Sequence, residues 1–291
     1  MPRWYAAVVA TSYLLALLDA RPTGSQVPAA WLASVLEERL HARVALVAGG
    51  APGATDTSTH RLRGWSVASV VGNETFVQAR PIVRDAKNEP VEDVLRTPAP
   101  CTLASFHVGT DDERFAETHP SVRLARFRRW IGTRAEAELD TDTRRRMREE
   151  IPDFLARSQT VNNDAELVFL RFLAALHAAG ALGAPFATAE EVRRALRTTA
   201  ALLGDGPVNV MVSDGRTLGV IHRGGTMYSL APPLPVGRMV RPEDEARAAA
   251  RHNLLWYDPD GPPELPPTGA ERVAEGIFTI ECLRPRTLAR E

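Results

Sequence analysis

Apolar and polar positions recur along the chain in ways that mark out its elements. Residues 3–10 (RWYAAVVA) are rich in side chains that suit a buried strand. Ser12 stands where a helix N-cap would, ahead of the short apolar run 14–18. Residues 28–43 (PAAWLASVLEERLHAR) carry an amphipathic helical pattern with proline in the first turn, and 44–47 read as a strand before the small-residue loop 49–59. Residues 61–71 and 75–83 read as a hairpin about Gly72-Asn73. Further strands are predicted over 102–108 and 122–130, on either side of the polar loop 109–119.

The middle third reads as helical. Residues 134–156 place acidic residues early and arginines late, as the helix dipole favours, with an interruption at Pro152. Residues 164–179 repeat apolar side chains at Leu167, Leu170 and Leu173 and end at Gly180. Thr188-Ala189-Glu190-Glu191 is a capping-box sequence opening a helix that stops at Gly204. Then 208–212, the turn Ser213-Asp214-Gly215 and 218–222 form a hairpin signature, and 254–257 and 277–282 complete the strands. Strands at both ends with helices between them predict one α+β domain over residues 1–291, its terminal strands sharing a sheet.

Composition narrows the function classes. With 291 residues, 44% of them hydrophobic, the chain can bury a large core without disulfides or metal staples. Its 35 basic and 36 acidic residues give a net charge of -1, which speaks against a nucleic-acid binder. Cys101 and Cys282 lie outside any paired spacing, which fits a reducing compartment and excludes a cysteine-built zinc site. The apolar stretch 4–18 is too short to span a bilayer and lacks a small-x-small cleavage site, so a cytoplasmic protein without a membrane partner is expected. Gly49-Gly50 and Gly224-Gly225 lack the strand-to-helix context of a phosphate loop, so no cofactor is expected. His107 and His119 have no third ligand at a helpful spacing, so no metal is expected either. Arg126, Arg128 and Arg129 alternate on the predicted strand as a solvated or anion-binding face, and Arg144-Arg145-Arg146 reads as a solvated helix face.

Several short motifs recur in a fixed order. The chain begins Met1-Pro2-Arg3-Trp4. Ser105-Phe106-His107-Val108-Gly109-Thr110 is followed by Thr118-His119-Pro120 and Arg129-Trp130-Ile131-Gly132-Thr133, then by Asn163-Asp164-Ala165-Glu166 and Ser213-Asp214-Gly215. This order resembles that of the class II glutamine amidotransferase family, with its Met-Cys-Arg-Trp start, His-Val-Arg-x-Ala-Thr, Thr-His-Pro, His-Asn-Gly, Thr-Asp-Ser-Glu and Ser-Asp-Gly segments. The resemblance implies the N-terminal-nucleophile hydrolase fold, a four-layer αββα sandwich. It also implies roles: Thr110 at the carboxylate end of glutamine, Gly132 at the oxyanion region and Asp164 at the α-amino group.

The departures fall on the chemistry. Pro2 replaces the thiolate nucleophile. Ile131 replaces the amide of the oxyanion hole, a loss that typically costs about 10² to 10³ in rate. His107 replaces the arginine that pairs with the substrate carboxylate. The resemblance thus implies a glutaminase-deficient pseudoenzyme that binds an amino acid or γ-glutamyl compound, or serves as the structural partner of a biosynthetic enzyme. The alternative is an amide hydrolase or amidotransferase with a non-cysteine mechanism, the secondary amine of Pro2 acting as base or nucleophile. Asp164 carries two readings. It is an amine anchor, or it is a helix cap accepting from the N–H groups of Glu166 or Leu167.

Overall fold

The computed structural model describes residues 11–18, 61–81, 99–109, 124–135, 139–160, 163–230, 254–258 and 270–281. Its strands are β1 (Thr11–Leu18), β2 (Arg61–Val71), β3 (Glu74–Pro81), β4 (Cys101–Gly109), β5 (Leu124–Phe127), β6 (Trp130–Ala135), β7 (Val208–Ser213), β8 (Thr217–Arg223), β9 (Thr226–Leu230), β10 (Leu254–Asp258), β11 (Ala270–Arg272) and β12 (Gly276–Glu281). Helices α1 (Thr141–Glu149), α2 (Asp153–Ala156), α3 (Asp164–Ala178) and α4 (Ala189–Ala200) fall between β6 and β7. The predicted elements at 3–10, 28–43 and 44–47 lie outside the described residues.

Two sheets face each other. One has seven strands in the order β11-β9-β10-β1-β4-β2-β3, the other five in the order β12-β8-β7-β6-β5. Every described pairing is antiparallel. Period-2 alternation assigns the faces. Leu14, Val70 and Leu103 of the larger sheet meet Ile131, Met211 and Val220 of the smaller one in the inter-sheet core. The other face of the five-stranded sheet carries Trp130, Val210 and Val212, which pack with Phe169 and Phe172 of α3 and Leu196 of α4. Trp130 and Phe172 meet edge to face, with centroids 5.2 Å apart. All but a few α3 side chains are buried, which is why its sequence is apolar nearly all round. The outer face of the seven-stranded sheet is buried as well, at Leu15, Trp65, Phe106 and Trp256.

The structure corrects several expectations. The run 14–18 is not a helix capped by Ser12; it belongs to β1, flanked by β10 and β4. A central strand buried on both faces has no polar alternation, so its apolar run looks like a short core helix. Of the terminal strands expected to share a sheet, the one over 3–10 lies outside the described residues, while β12 belongs to the smaller sheet. The single strand expected over 122–130 is instead the hairpin β5–β6, turning at Arg128-Arg129. Arg128 takes the left-handed conformation there, at φ 51°. Such a turn costs a non-glycine residue roughly 1 kcal/mol, and nothing in an Arg-Arg pair announces it. The Arg129 side chain offsets that cost by donating to the carbonyls of Ala184 (2.6 Å) and Pro185.

The remaining turns follow the chemistry of their residues. Gly72, at φ 62°, closes the β2–β3 hairpin as expected. In the β7–β8 turn, Asp214 Oδ1 accepts from the N–H groups of Arg216 (3.0 Å) and Thr217 (2.9 Å). Gly215 sits at the tip with φ 86°, where an added Cβ would lie 2.8 Å from Val70 Cγ1 of the opposite sheet. Thr188 and Glu191 form the expected capping box at the start of α4.

Candidate functional site

The expected site residues separate onto different parts of the fold. Pro2, Thr110 and His119 lie outside the described residues. Gly132 is in β6, on the face that meets α3, and a Cβ there would stand 2.4 Å from Phe169 Cδ2. Glycine at this position is what lets the helix close onto the sheet. His107 is placed by its backbone in β4, where it pairs with Ser12 of β1 on one side and Gly64 of β2 on the other.

Asp164 is the first residue of α3, but it is not the cap. Asn163 fills that role, its Oδ1 accepting from the Glu166 N–H at 2.8 Å. The Asp164 carboxylate instead takes Arg144 Nε on Oδ1 at 2.7 Å and Arg144 Nη2 on Oδ2 at 2.9 Å, and Oδ2 also accepts the Leu139 N–H at 2.7 Å. Burial opposes ionisation, yet the Arg144 and Leu139 hydrogen bonds and the charges of Arg144 and Arg134 outweigh it and hold the carboxyl below its ordinary range. Both oxygens are therefore engaged, and the fork of Arg144 ties α1 to the start of α3. This corrects two expectations: Arg144 is half-buried and paired rather than part of a solvated face, and Asp164 is not the helix cap. Arg145 does lie on the exposed face, paired with Glu149 at 2.9 Å. Arg129 does not present an anion-binding strand face; beyond its carbonyl bonds, its Nε lies 4.0 Å from Asp214 Oδ2.

A second polar group went unforeseen. On the inter-sheet face of β7 and β8, His222 Nδ1 lies 2.6 Å from Asn209 Oδ1. The Asn209 amide donates to the carbonyls of Arg223 (3.2 Å) and Gly224 (3.1 Å), so its oxygen is the acceptor and His222 Nδ1 bears the proton. Burial depresses the His222 pKa; the charge of Glu275 opposes this and that of Arg272 adds to it. The His222 ring meets Tyr257 of the facing sheet edge-on. The polar residues at alternate positions of 208–213 (Asn209, Ser213) were the available signal, since a strand buried on both faces otherwise has no reason to carry them.

The seven-stranded sheet adds a third polar group, a row of hydroxyls. Ser105 pairs with Leu14 on one side and Ser66 on the other, and is 1% exposed. Its hydroxyl has no hydrogen-bond partner. Among the described residues, no three His, Cys, Asp or Glu side chains are grouped so as to hold a metal. No helix among them is long and apolar enough to cross a membrane.

No protein-family model and no curated protein sequence matches the chain. Solved structures do. A glutamine aminotransferase class-II domain protein from Silicibacter pomeroyi aligns at 14% identity and a TM-score of 0.39, over 73% of this chain and 91% of that one. A protein described as a predicted glutamine amidotransferase from Pseudomonas aeruginosa aligns at 13% identity and 0.39, over 94% of each. Glutamine phosphoribosylpyrophosphate amidotransferase from B. subtilis, complexed with ADP and GMP, aligns at 9% identity and 0.44; 93% of this chain covers 49% of that one.

Proposed function

We propose that the chain is a class II amidotransferase-like protein of αββα layering that does not hydrolyse glutamine. In this reading it is a small-molecule-binding or structural partner of a biosynthetic enzyme. The supporting observation is the state of Asp164. The carboxylate that the sequence resemblance assigns to the substrate α-amine is already neutralised by the fork of Arg144 and accepts the Leu139 N–H, so an incoming ammonium would have to share it with an internal cation. The fourth layer is supported by the burial of Leu15, Trp65 and Trp256 on the outer face of the larger sheet, which calls for a covering layer there.

A coupled glutamate assay tests it. The purified chain is expected to release no glutamate from glutamine above background. Turnover that co-purifies with the protein and is abolished by Asp164→Asn would overturn the reading, because it would show that the amine competes successfully with Arg144.

A further inference from the structure

We propose that the outer edge of β3 is a self-association surface, on which a second copy of this chain adds its own β3 antiparallel across a two-fold axis at Val77. Among the described residues, β3 hydrogen-bonds to β2 on one side and to no strand on the other. With 8 residues it is the longest of the four sheet edges; β5 has 4, β11 has 3 and β12 has 6. A long edge leaves a row of backbone N–H and C=O groups that a further strand can take up. This edge also carries exposed apolar surface. Phe76 is 53% exposed, more than any other large apolar side chain among the described residues, and Val71 across the hairpin is exposed on the same face.

The charges of the edge select its occupant. A long edge is commonly guarded by a charge or a proline in its middle, but residues 75–79 (TFVQA) are uncharged. The two charges lie instead at equal distances from Val77 and have opposite signs, Glu74 before it and Arg80 after it, both exposed. In a two-fold contact, residue i of one copy meets residue j of the other, and j meets i. With Val77 on the axis, Glu74 therefore faces the second copy's Arg80 at both ends, and Phe76 faces the second copy's Gln78. The two Phe76 rings fall on a diagonal of that face, roughly 7 to 8 Å apart, within reach of aromatic contact. On the opposite face Val77, which packs against the inter-sheet core, meets its own counterpart. A parallel strand in the same register would set Glu74 against Glu74 and Arg80 against Arg80, and like charges directly opposed are destabilising.

The contact joins the two seven-stranded sheets edge to edge and covers Phe76. It is closed, because each copy spends its one β3 edge on the other and assembly stops at the dimer. It uses no residue of the Asp164 cluster and does not depend on the absence of glutaminase activity.

The test is sedimentation velocity of the full chain over a concentration series, with circular dichroism showing that each variant is folded. The wild type is expected to sediment as a dimer that dissociates on dilution. Glu74→Arg and Arg80→Glu each set like charges opposite one another at both ends of the contact, and each should raise the dimer dissociation constant about tenfold or more. The double exchange Glu74→Arg with Arg80→Glu restores opposite charges in swapped positions, and should return the constant to within about threefold of the wild type. A wild-type chain that stays monomeric at about 1 mM overturns the proposal without any variant. So does a dimer indifferent to both single reversals, whose contact lies elsewhere, and so does a dimer that the double exchange fails to restore. A monomeric chain that releases no glutamate removes this proposal alone and leaves the glutaminase reading standing.

Discussion

Asp164 and Ser105 are both polar groups withdrawn from water, one on the helix side of the five-stranded sheet and the other between the sheets. Asp164 has both oxygens engaged, by a two-pronged arginine and a backbone N–H. Ser105 has no partner among the described residues. The difference separates two uses of buried polarity. A satisfied cluster fixes one arrangement of its elements, here α1 against α3, and is complete without a ligand. An unsatisfied hydroxyl adds nothing to the fold, and its presence needs a reason outside the fold. His222 and Asn209 fall between these extremes: they are bonded to each other, but burial disfavours the charged imidazole.

The largest effect is expected where satisfaction is complete. Asp164→Ala removes the carboxylate that the Arg144 fork and the Leu139 N–H both bond, which should lower unfolding free energy by roughly 2 kcal/mol in urea titration. Because the folded-state pKa of Asp164 is depressed, its contribution is present in full above the ordinary aspartate range and is lost as pH falls through the folded value. A silent Asp164→Ala would mean that the carboxylate is not structural, and the comparison would collapse.

An intermediate effect belongs to His222. Its depressed pKa means that the folded state binds the proton less readily than the unfolded chain. Stability should therefore be complete above about pH 6.5, the unperturbed histidine value, and decline as pH drops below it toward the folded pKa. In His222→Gln, which cannot be charged, the melting temperature should lose that part of its pH dependence. An unchanged profile would assign the acid sensitivity elsewhere.

The smallest effect is expected at the orphan. Ser105→Ala removes a hydroxyl that bonds nothing, so thermal unfolding should be unchanged or slightly raised, within about 1 kcal/mol. A clear loss of stability would show that Ser105 has a structural partner, and would erase the contrast with Asp164.

The legible parts of this fold are those whose residues carry their own geometry. Gly72-Asn73, Ser213-Asp214-Gly215 and the Thr188–Glu191 capping box are each sufficient to specify a turn or cap, and each formed as expected. Arg128-Arg129 carries no such signal, because the turn is held from a distance by the carbonyls of Ala184 and Pro185. The cap of α3 was displaced by one residue because Asn163 and Asp164 are equally good capping types, and only the position of Arg144 decides which carboxylate or amide is free to cap. The polar pair between the sheets was least legible of all. Asn209 and His222 meet through strand register, a property of the whole sheet that neither segment encodes alone.

The touch between Gly215 and Val70 has a mechanical consequence. The tip of one hairpin rests on the opposing sheet with no side chain between them, so it acts as a fulcrum. Val70 and Gly64 lie at opposite ends of β2, separated by roughly 20 Å of strand. Around such a pivot, a small tilt between the sheets displaces the near end hardly at all and the far end most. Evolution can therefore shift the far end of β2 by adjusting an angle, while the residues at the pivot stay as they are.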